Sequence, residues 1–406
     1  MKRILVLILL LLAVSFGTLK LNSSQAISEP KTWTVNDDGP ADFRTIQGAI
    51  NAANDGDTIF VYKGEYQENL VVNKSLTLTG EVKCAVIDQN HTWATVEICA
   101  DKVVFELFTI RNHYVPSGPP YSLYSSGTLL RDASDCLIKD NVVKVSMPYG
   151  MIAVGGSANK IIGNVIQNHF DCGFLVEDSP YNLITRNRVS GCHVALELRR
   201  SDYNSISYNF MVNSGFPNPV VLLSNCNSNI IEGNTLCDES FEMTSYIDLG
   251  NSCNNSIFHN NFEGEWKTAA HLYGNSNGNI WDNGYPSGGN YWIDYTGADV
   301  NHGPYQNETG SDGIGDTPHV IDASNVDRYP LMSEWYAPPA ALIGMPGDIN
   351  LDNRVDVYDI VLACVSYGSK VGDPLWNLDA DIAPPYGKID IYDIATVASY
   401  YGEDYS

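Results

Sequence analysis

The stretch GDINLDNRVDVYDI, residues 347–360, places Asp348, Asn350 and Asp352 at alternate positions and then adds Asp356 and Asp359. Oxygen donors at positions 1, 3, 5, 9 and 12, with the Arg354 carbonyl at 7, have the spacing of a twelve-residue Ca2+ loop. Two positions depart from it. Asn353 stands at the tight turn, where an amide residue tolerates left-handed backbone, and Asp359 replaces a longer Glu. A partial copy, GKIDIYDI, follows at 387–394 and keeps Asp390 and Asp393. Counting back from Asp393, the first acid in the right region is Asp381, one residue too far, with Asp379 just upstream. This copy is expected to bind through Asp379, Asp381, Asp390, Asp393 and carbonyls, or to keep its shape without metal. Each copy runs into an amphipathic helix, with Ile360, Ala363 and Cys364 in the first and Ile394, Val397 and Ala398 in the second. The helices are expected to stop at Gly368 and Gly402.

A second group of chemistry-bearing residues lies mid-chain. Glu177, Glu197, Arg199, His169, Asp171 and His193 are expected to gather over two neighbouring repeats. A cation that holds a sugar carboxylate, beside a base that takes the α-proton, is what a lyase or epimerase on acidic glycans needs. Solvated faces carry the same residue types, and Glu177 with Arg199 could be an ordinary ion pair between repeats. Tyr149 and Phe170 could offer rings for sugar stacking.

The elements that must position these groups show in the repeats. NKIIGN (159–164), NLITRN (182–187), NSISYN (204–209), NIIEGN (229–234) and NSIFHN (255–260) share one pattern, with CLIKDN (136–141) before and NIWDN (279–283) after. The leading Asn residues step by 23, 22, 25, 26 and 24 residues. Between them lie short alternating runs such as GFLVE (173–177), VALEL (194–198), VVLL (220–223) and YIDL (246–249). Several short strands per step suit one coil of a parallel β-helix. Amide side chains both donate and accept, so equivalent Asn residues can bond in a ladder along the coils; they are architecture, not a site. Aligned on the leading Asn, Met151/Ala153, Phe174/Val176, Leu196/Leu198, Val221/Leu223 and Ile247/Leu249 should point inward. The rows Ile152, Leu175, Glu197, Leu222, Asp248 and Val154, Glu177, Arg199, Ser224 should point outward.

Upstream, residues 42–54 read as an amphipathic helix, with Phe43, Ile46, Ala49, Ile50 and Ala53 on one face, covering an open solenoid end. The pattern F-x-T-I-Q-x-A-I…G-D-T-I-x-V…G-x-Y-x-E…L-T-L-x-G resembles the entry to pectin-lyase-like right-handed β-helices. The Asn coils, and the end segment WDNGYPSGGNYWIDYTG…GSDGIGDTPHVIDASNVDRYPLM (281–332), resemble the NosD-type branch. This resemblance implies the fold over residues 33–335 and leaves activity open, since such folds serve many functions. It also brings copper to mind, but the 8 His and 7 Met are scattered, and no copper site is expected. Asp312, Asp316 and Asp322 could hold an extra cation or cap turns.

Two loop–helix units with Asp at position 12 and no entering helix resemble a type I dockerin. That likeness implies a cohesin-like partner, contacted through positions 10 and 11: Val357 with Tyr358, and Ile391 with Tyr392. The fold class expected is therefore an all-β right-handed parallel β-helix with an N-terminal capping helix, plus a small all-α calcium-loop domain.

Residues 1–26 have a basic start, an apolar run and a Ser-Gln-Ala end, the form of a secretory signal cleaved after Ala26. The expected order is signal peptide 1–26, β-helix 27–335 with its end segment from 281, a Pro-containing linker 336–346 and the dockerin-like unit 347–406. No stable membrane span is expected after cleavage, and the expected location is secreted or at the cell surface. A net charge of −25 excludes nucleic acid as a partner and favours hard cations. Sequons at Asn73, Asn90, Asn254 and Asn307 suit an exported chain. Nine cysteines leave at least one unpaired; Cys172 with Cys192, and Cys226 with Cys253, could bridge or stack. Three functions fit: a carbohydrate-interacting protein displayed through its tail, a polysaccharide-modifying enzyme, or a structural or adhesive surface protein.

Overall fold

The structure, a computed structural model, describes residues 29–81, 83–89, 93–112, 125–167, 171–213, 218–238, 245–264, 270–335, 347, 349, 355–370, 380, 382 and 388–402. Residues 1–26 and 336–346, expected to be a signal peptide and a linker, lie outside these residues.

Each Asn hexapeptide encloses one short strand and starts one coil. In the coil from Asn182 the strands are Leu183–Thr185, Arg188–Cys192 and Val194–Arg199. Repetition builds three parallel sheets. The first has ten strands from Thr32–Val35 to Ser256–Phe258, the second ten from Gly64–Tyr66 to Tyr291–Trp292, and the third nine from Leu70–Val72 to Ala270–Tyr273. Strands of successive coils pair in register, Glu177 opposite Arg199 and Leu175 opposite Glu197 among them.

The turns explain the asparagines. The residue before each Asn of the hexapeptides has left-handed backbone: Arg186 before Asn187 at φ +58°, Tyr208 before Asn209 at +56°. That corner swings the amide inward, where its Oδ1 accepts the backbone N–H of the previous coil's Asn. Asn164 N donates to Asn187 Oδ1 at 2.9 Å, and Asn187 N to Asn209 Oδ1 at 2.9 Å. Two such ladders run along the rod, and in them the buried Asn N–H groups find the amide oxygen of the next coil. A Ser/Cys row runs beside them: Ser179 N bonds Ser201 Oγ, Ser201 N bonds Cys226 Sγ, and Cys226 N bonds Ser252 Oγ.

Between the ladders the inward side chains stack. The row Ile138, Ile161, Ile184, Ile206, Ile231, Ile257 comes from the first sheet and Val143, Ile166, Val189, Met211, Leu236, Phe262 from the second. The expected third-sheet pairs, Met151/Ala153 through Ile247/Leu249, are buried with them. Each such aliphatic or aromatic side chain contributes roughly 1.5–3 kcal/mol.

The N-terminal helix α1 spans Ile46–Ala52, shorter than expected from 42–54. Thr45 is its N-cap and accepts from Gly48 N, while Phe43 pairs with Val35 as an isolated bridge. Ile46, Ala49 and Ile50 close the core. Glu68 accepts the N–H groups of Ile46 and Gln47, and Lys74 donates to the carbonyls of Ile50, Asn51 and Ala53. Gln47 then bonds the N–H and C=O of Val71, satisfying the edge of the third sheet.

At the far end Trp292 stacks on Phe262 at 4.2 Å, and buried Asp327 ends one Asn ladder by accepting Asn290 N at 2.7 Å. Beyond it, helices α2 (Val357–Val365) and α3 (Ile391–Ser399) share a cluster of Ile349, Val355, Ala363, Ile389 and Val397.

Candidate functional site

The outer face of the third sheet departs from expectation. Ile152 and Leu175 belong to the row expected to point outward, yet both are buried, with Leu129, Tyr149, Cys172 and Val194, in a second cluster outside the coil core. A β-helix strand has two apolar faces where its outer side is also covered. In that same row stand Glu97 and Glu197, both buried. Each is matched to an arginine: Arg131 bonds Glu97, and Arg199 bonds Glu197 through Nε–Oε1 at 2.6 Å and Nη2–Oε2 at 2.8 Å. The Arg199–Glu197 pair is two residues apart on one strand, so both side chains point the same way.

The mid-chain residues therefore do not form one cluster. Glu177 lies opposite Arg199 in register but bonds Arg200 at 2.6 Å, and Arg200 also binds Asp178 at 2.8 Å. Asp171 and His193 sit at the other end of the same strands, where the Asp171 carbonyl accepts both His193 N and Val194 N. Asp171 and Glu177 are the two ends of one extended segment, about 20 Å apart at 3.3 Å per residue. The five described residues of this set thus become two groups because extended backbone separates them. His169 and Phe170 lie outside the described residues. Tyr149 lies between the groups: burial pushes its hydroxyl up, Arg199 opposes this, and Asp171 and Glu197 add to it. The bond to Glu197 raises Arg199 above the ordinary arginine range. Because that carboxylate fills its fork, Arg199 offers little net charge to an anionic ligand.

Sequence reasoning missed Arg200 and the Glu97–Arg131 pair. The signal was present, since Glu97 and Glu197 share a row once coils are aligned, but the first coils lack the Asn hexapeptide that sets the alignment.

In the C-terminal units, Asp348, Asn350, Asp352, Arg354, Asp379 and Asp381 lie outside the described residues. Asp356 and Asp390 are the N-caps of α2 and α3, each in a capping box with Asp359 or Asp393. Asp359 is buried and accepts Ile349 N at 2.7 Å and Asp356 N at 2.8 Å. Asp393, also buried, accepts Ile382 N at 2.8 Å and Asp390 N at 2.7 Å. Ile382 is thus the counterpart of Ile349, and Asp381 stands in the sequence where Asp348 does. The units also cross-link: Gly368 N bonds Ile389 O, and Gly402 N bonds Val355 O, both at 2.8 Å. Val357, Tyr358, Ile391 and Tyr392 are each more than half exposed, at the first two positions of their helices.

The other candidates resolve locally. Asp312 accepts Ile314 N and Asp322 accepts Ser324 N and Asn325 N, each tying its own turn, while Asp316 accepts Val300 N and Asn301 N and joins two segments of the end region. None of the nine cysteines is in a disulfide. Cys172 lies in the outer cluster and Cys192 in the coil core, while Cys226 is matched by Ser252, one residue before Cys253. Among the described residues no helix is long and apolar enough to cross a membrane.

Residues 50–252, half of the chain, match the family described as periplasmic copper-binding protein (NosD). No curated protein matches the sequence. Among solved structures, a pectate lyase is 13% identical, with 64% of this chain and 81% of that one covered and a TM-score of 0.43. A pectin methylesterase solved with a hexasaccharide is 15% identical over 60% and 80%, at 0.35. The Dettilon tailspike protein is 15% identical at 0.41, and the chain spans 60% of its length.

The described residues do not fit a copper site. His259 bonds Ser287 O and stacks on Trp335, His302 bonds Glu308 O, and His319 stacks on Trp292. Burial pushes the thiols of Cys136 and Cys226 up to about 11 and Cys192 to about 12, away from the thiolate a metal binds. No three His, Cys, Asp or Glu among the described residues converge on a metal position. The nested parallel coils, their asparagine ladders and the match over half the sequence make one conclusion: the chain belongs to the NosD family of right-handed parallel β-helix proteins.

Proposed function

We propose that this is an exported glycan-binding β-helix whose C-terminal units form a calcium-dependent, dockerin-like module that docks on a cohesin-type domain. The observation that carries it is the duplicated clasp. In both units a buried aspartate at the last loop position holds the loop entry and the helix N-cap, through the same two N–H bonds. An all-oxygen donor set built on such an aspartate suits Ca2+. In the first loop Asp348, Asn350, Asp352, the Arg354 carbonyl, Asp356 and Asp359 would hold the ion. Asp379, Asp381, Asp390 and Asp393 would serve the second. Val357, Tyr358, Ile391 and Tyr392 are the aromatic and aliphatic contacts offered to the partner.

Glycan binding by the coils is supported by their rigidity and by polar and aromatic groups on their outer surface. A polysaccharide lyase is the second reading, favoured by the nearness of Tyr149 to Arg199. The occupied Arg199 fork weighs against it, since elimination requires a cation free to hold the substrate carboxylate.

Capture of the full chain by an immobilised type I cohesin, in calcium and in chelator, tests the docking. Capture in calcium alone is expected, with loss in the Asp348→Ala, Asp359→Ala double variant; capture in chelator contradicts it. Unsaturated products absorbing in the ultraviolet, on any of a panel of uronate polymers, would replace binding by catalysis.

A further inference from the structure

The residue before each leading ladder Asn is left-handed: φ is +56° at Ala158, +62° at Tyr181, +59° at Tyr203, +58° at Ser228 and Asn254, and +72° at Gly278. Small residues, Asn and Gly suit this conformation, and a bulky ring is strained in it. Two coils nevertheless place tyrosines there. Both rings point outward, 60% and 54% exposed, and stack at 5.1 Å with their planes 6° apart. So little burial does not offset the strain by packing. Backbone bonds from Ala158 N to Pro180 O and from Tyr181 N to Asp202 O put Ala158, Tyr181 and Tyr203 in one row. On the coil before Tyr181 the turn is cut back to Gly155-Gly156-Ser157-Ala158. The Tyr181 face turned away from Tyr203 therefore opens over a ledge of small side chains.

We propose that Tyr181, backed by Tyr203, is a stacking platform for one neutral pyranose ring, seated over that ledge. The proposal rests on the glycan-binding reading above and gives it a place: the turn between the third and first sheets, away from the Glu197–Arg199 face. A pyranose lays its apolar C–H face on an aromatic ring and leaves its hydroxyls to solvent and to neighbours such as Ser157 and Lys160. The ligand is neutral because the turn is acidic. Arg200 is already shared by Glu177 and Asp178, Asp202 immediately precedes Tyr203, so three carboxylates face Arg200 and Lys160, and the chain carries −25 overall. A polyanionic glycan would be repelled.

Native gels cast with soluble neutral polysaccharides (hydroxyethyl cellulose, arabinoxylan, galactomannan) or with polygalacturonate test this on the full chain. Wild type should be retarded in at least one neutral gel. Tyr181→Asn, which suits the backbone, should bind about tenfold more weakly, the loss of one ring contact. Tyr181→Phe should bind as wild type. Thermal melting of Tyr181→Asn should be no lower than wild type, since the ring is exposed and Asn suits the left-handed backbone. Retardation undiminished in Tyr181→Asn, or lost in Tyr181→Phe, overturns the platform and leaves the glycan reading standing. Retardation by polygalacturonate alone overturns it as well, again leaving glycan binding. No retardation in any gel overturns both.

Discussion

Asn187 shows how much one side chain does in this architecture. Its Oδ1 accepts the backbone N–H and the amide of Asn164, and its Nδ2 donates to Ile161 O, Thr185 O and Asn209 Oδ1, all at 2.9–3.0 Å. Alanine would leave buried groups on three coils without partners. An expected loss of about 2–4 kcal/mol follows from the desolvation left uncompensated, read as a lower urea midpoint. A loss under about 0.5 kcal/mol would mean that water replaces the ladder. The Asn spacing was legible because a stack repeats its residue type. The Tyr181–Tyr203 pair was not, since position before a ladder Asn has meaning only once its backbone is known to be left-handed. Glu197 and Arg199 were legible as types but not as partners. Alternation places them on one face without saying whether each bonds along its strand or across to the next.

The end elements carry the titration. Asp327 sits beneath Trp292 and accepts from Asn290 N, Trp292 Nε1 and Tyr329 N. Burial pushes its carboxyl up to about 7, against those donors. The folded chain then holds a proton that the unfolded chain releases near 3.8, so this group's contribution to stability is full at low pH and is lost as pH rises through about 7. Asp327→Asn should flatten that slope, seen as a smaller fall in Tm between pH 4 and 7 than in wild type. Equal slopes would contradict the assignment. Arg328 works the other way: although burial raises Asp282, bonds from the Arg328 guanidinium and backbone hold it below the usual carboxylate range. The paired helices make a separate prediction. Calcium at a hundred times its Kd should stabilise them by about 2.7 kcal/mol, and chelator should remove that gain. A C-terminal transition indifferent to both would leave the clasp as a helix cap without a metal. The capping helix was legible from its apolar face, but its start was not. Phe43 lies on the apolar face, yet it pairs with Val35 as a bridge and leaves Thr45 to cap the helix, and the apolar spacing does not show that choice.

Taken whole, the coils bury a continuous stack of aliphatic and aromatic side chains, and an asparagine ladder holds the turns on either side of the first sheet. Such a rod presents its outer groups at fixed spacing, with little ordering left to do when a ligand arrives. Its period was readable in the sequence from the Asn hexapeptides alone, whereas the covered outer face of the third sheet was not. Alternation there predicts a solvated side, and the buried Leu129, Ile152 and Leu175 show a second packed layer instead. The net charge of −25 sets the kind of polymer that can approach and favours uncharged chains. The central claim is that the coils bind glycan independently of the metal that serves the tail. A glycan array probed with the full chain in calcium and again in chelator tests this directly. Binding to neutral glycans at equal strength in both is predicted, and a blank array in both would contradict it.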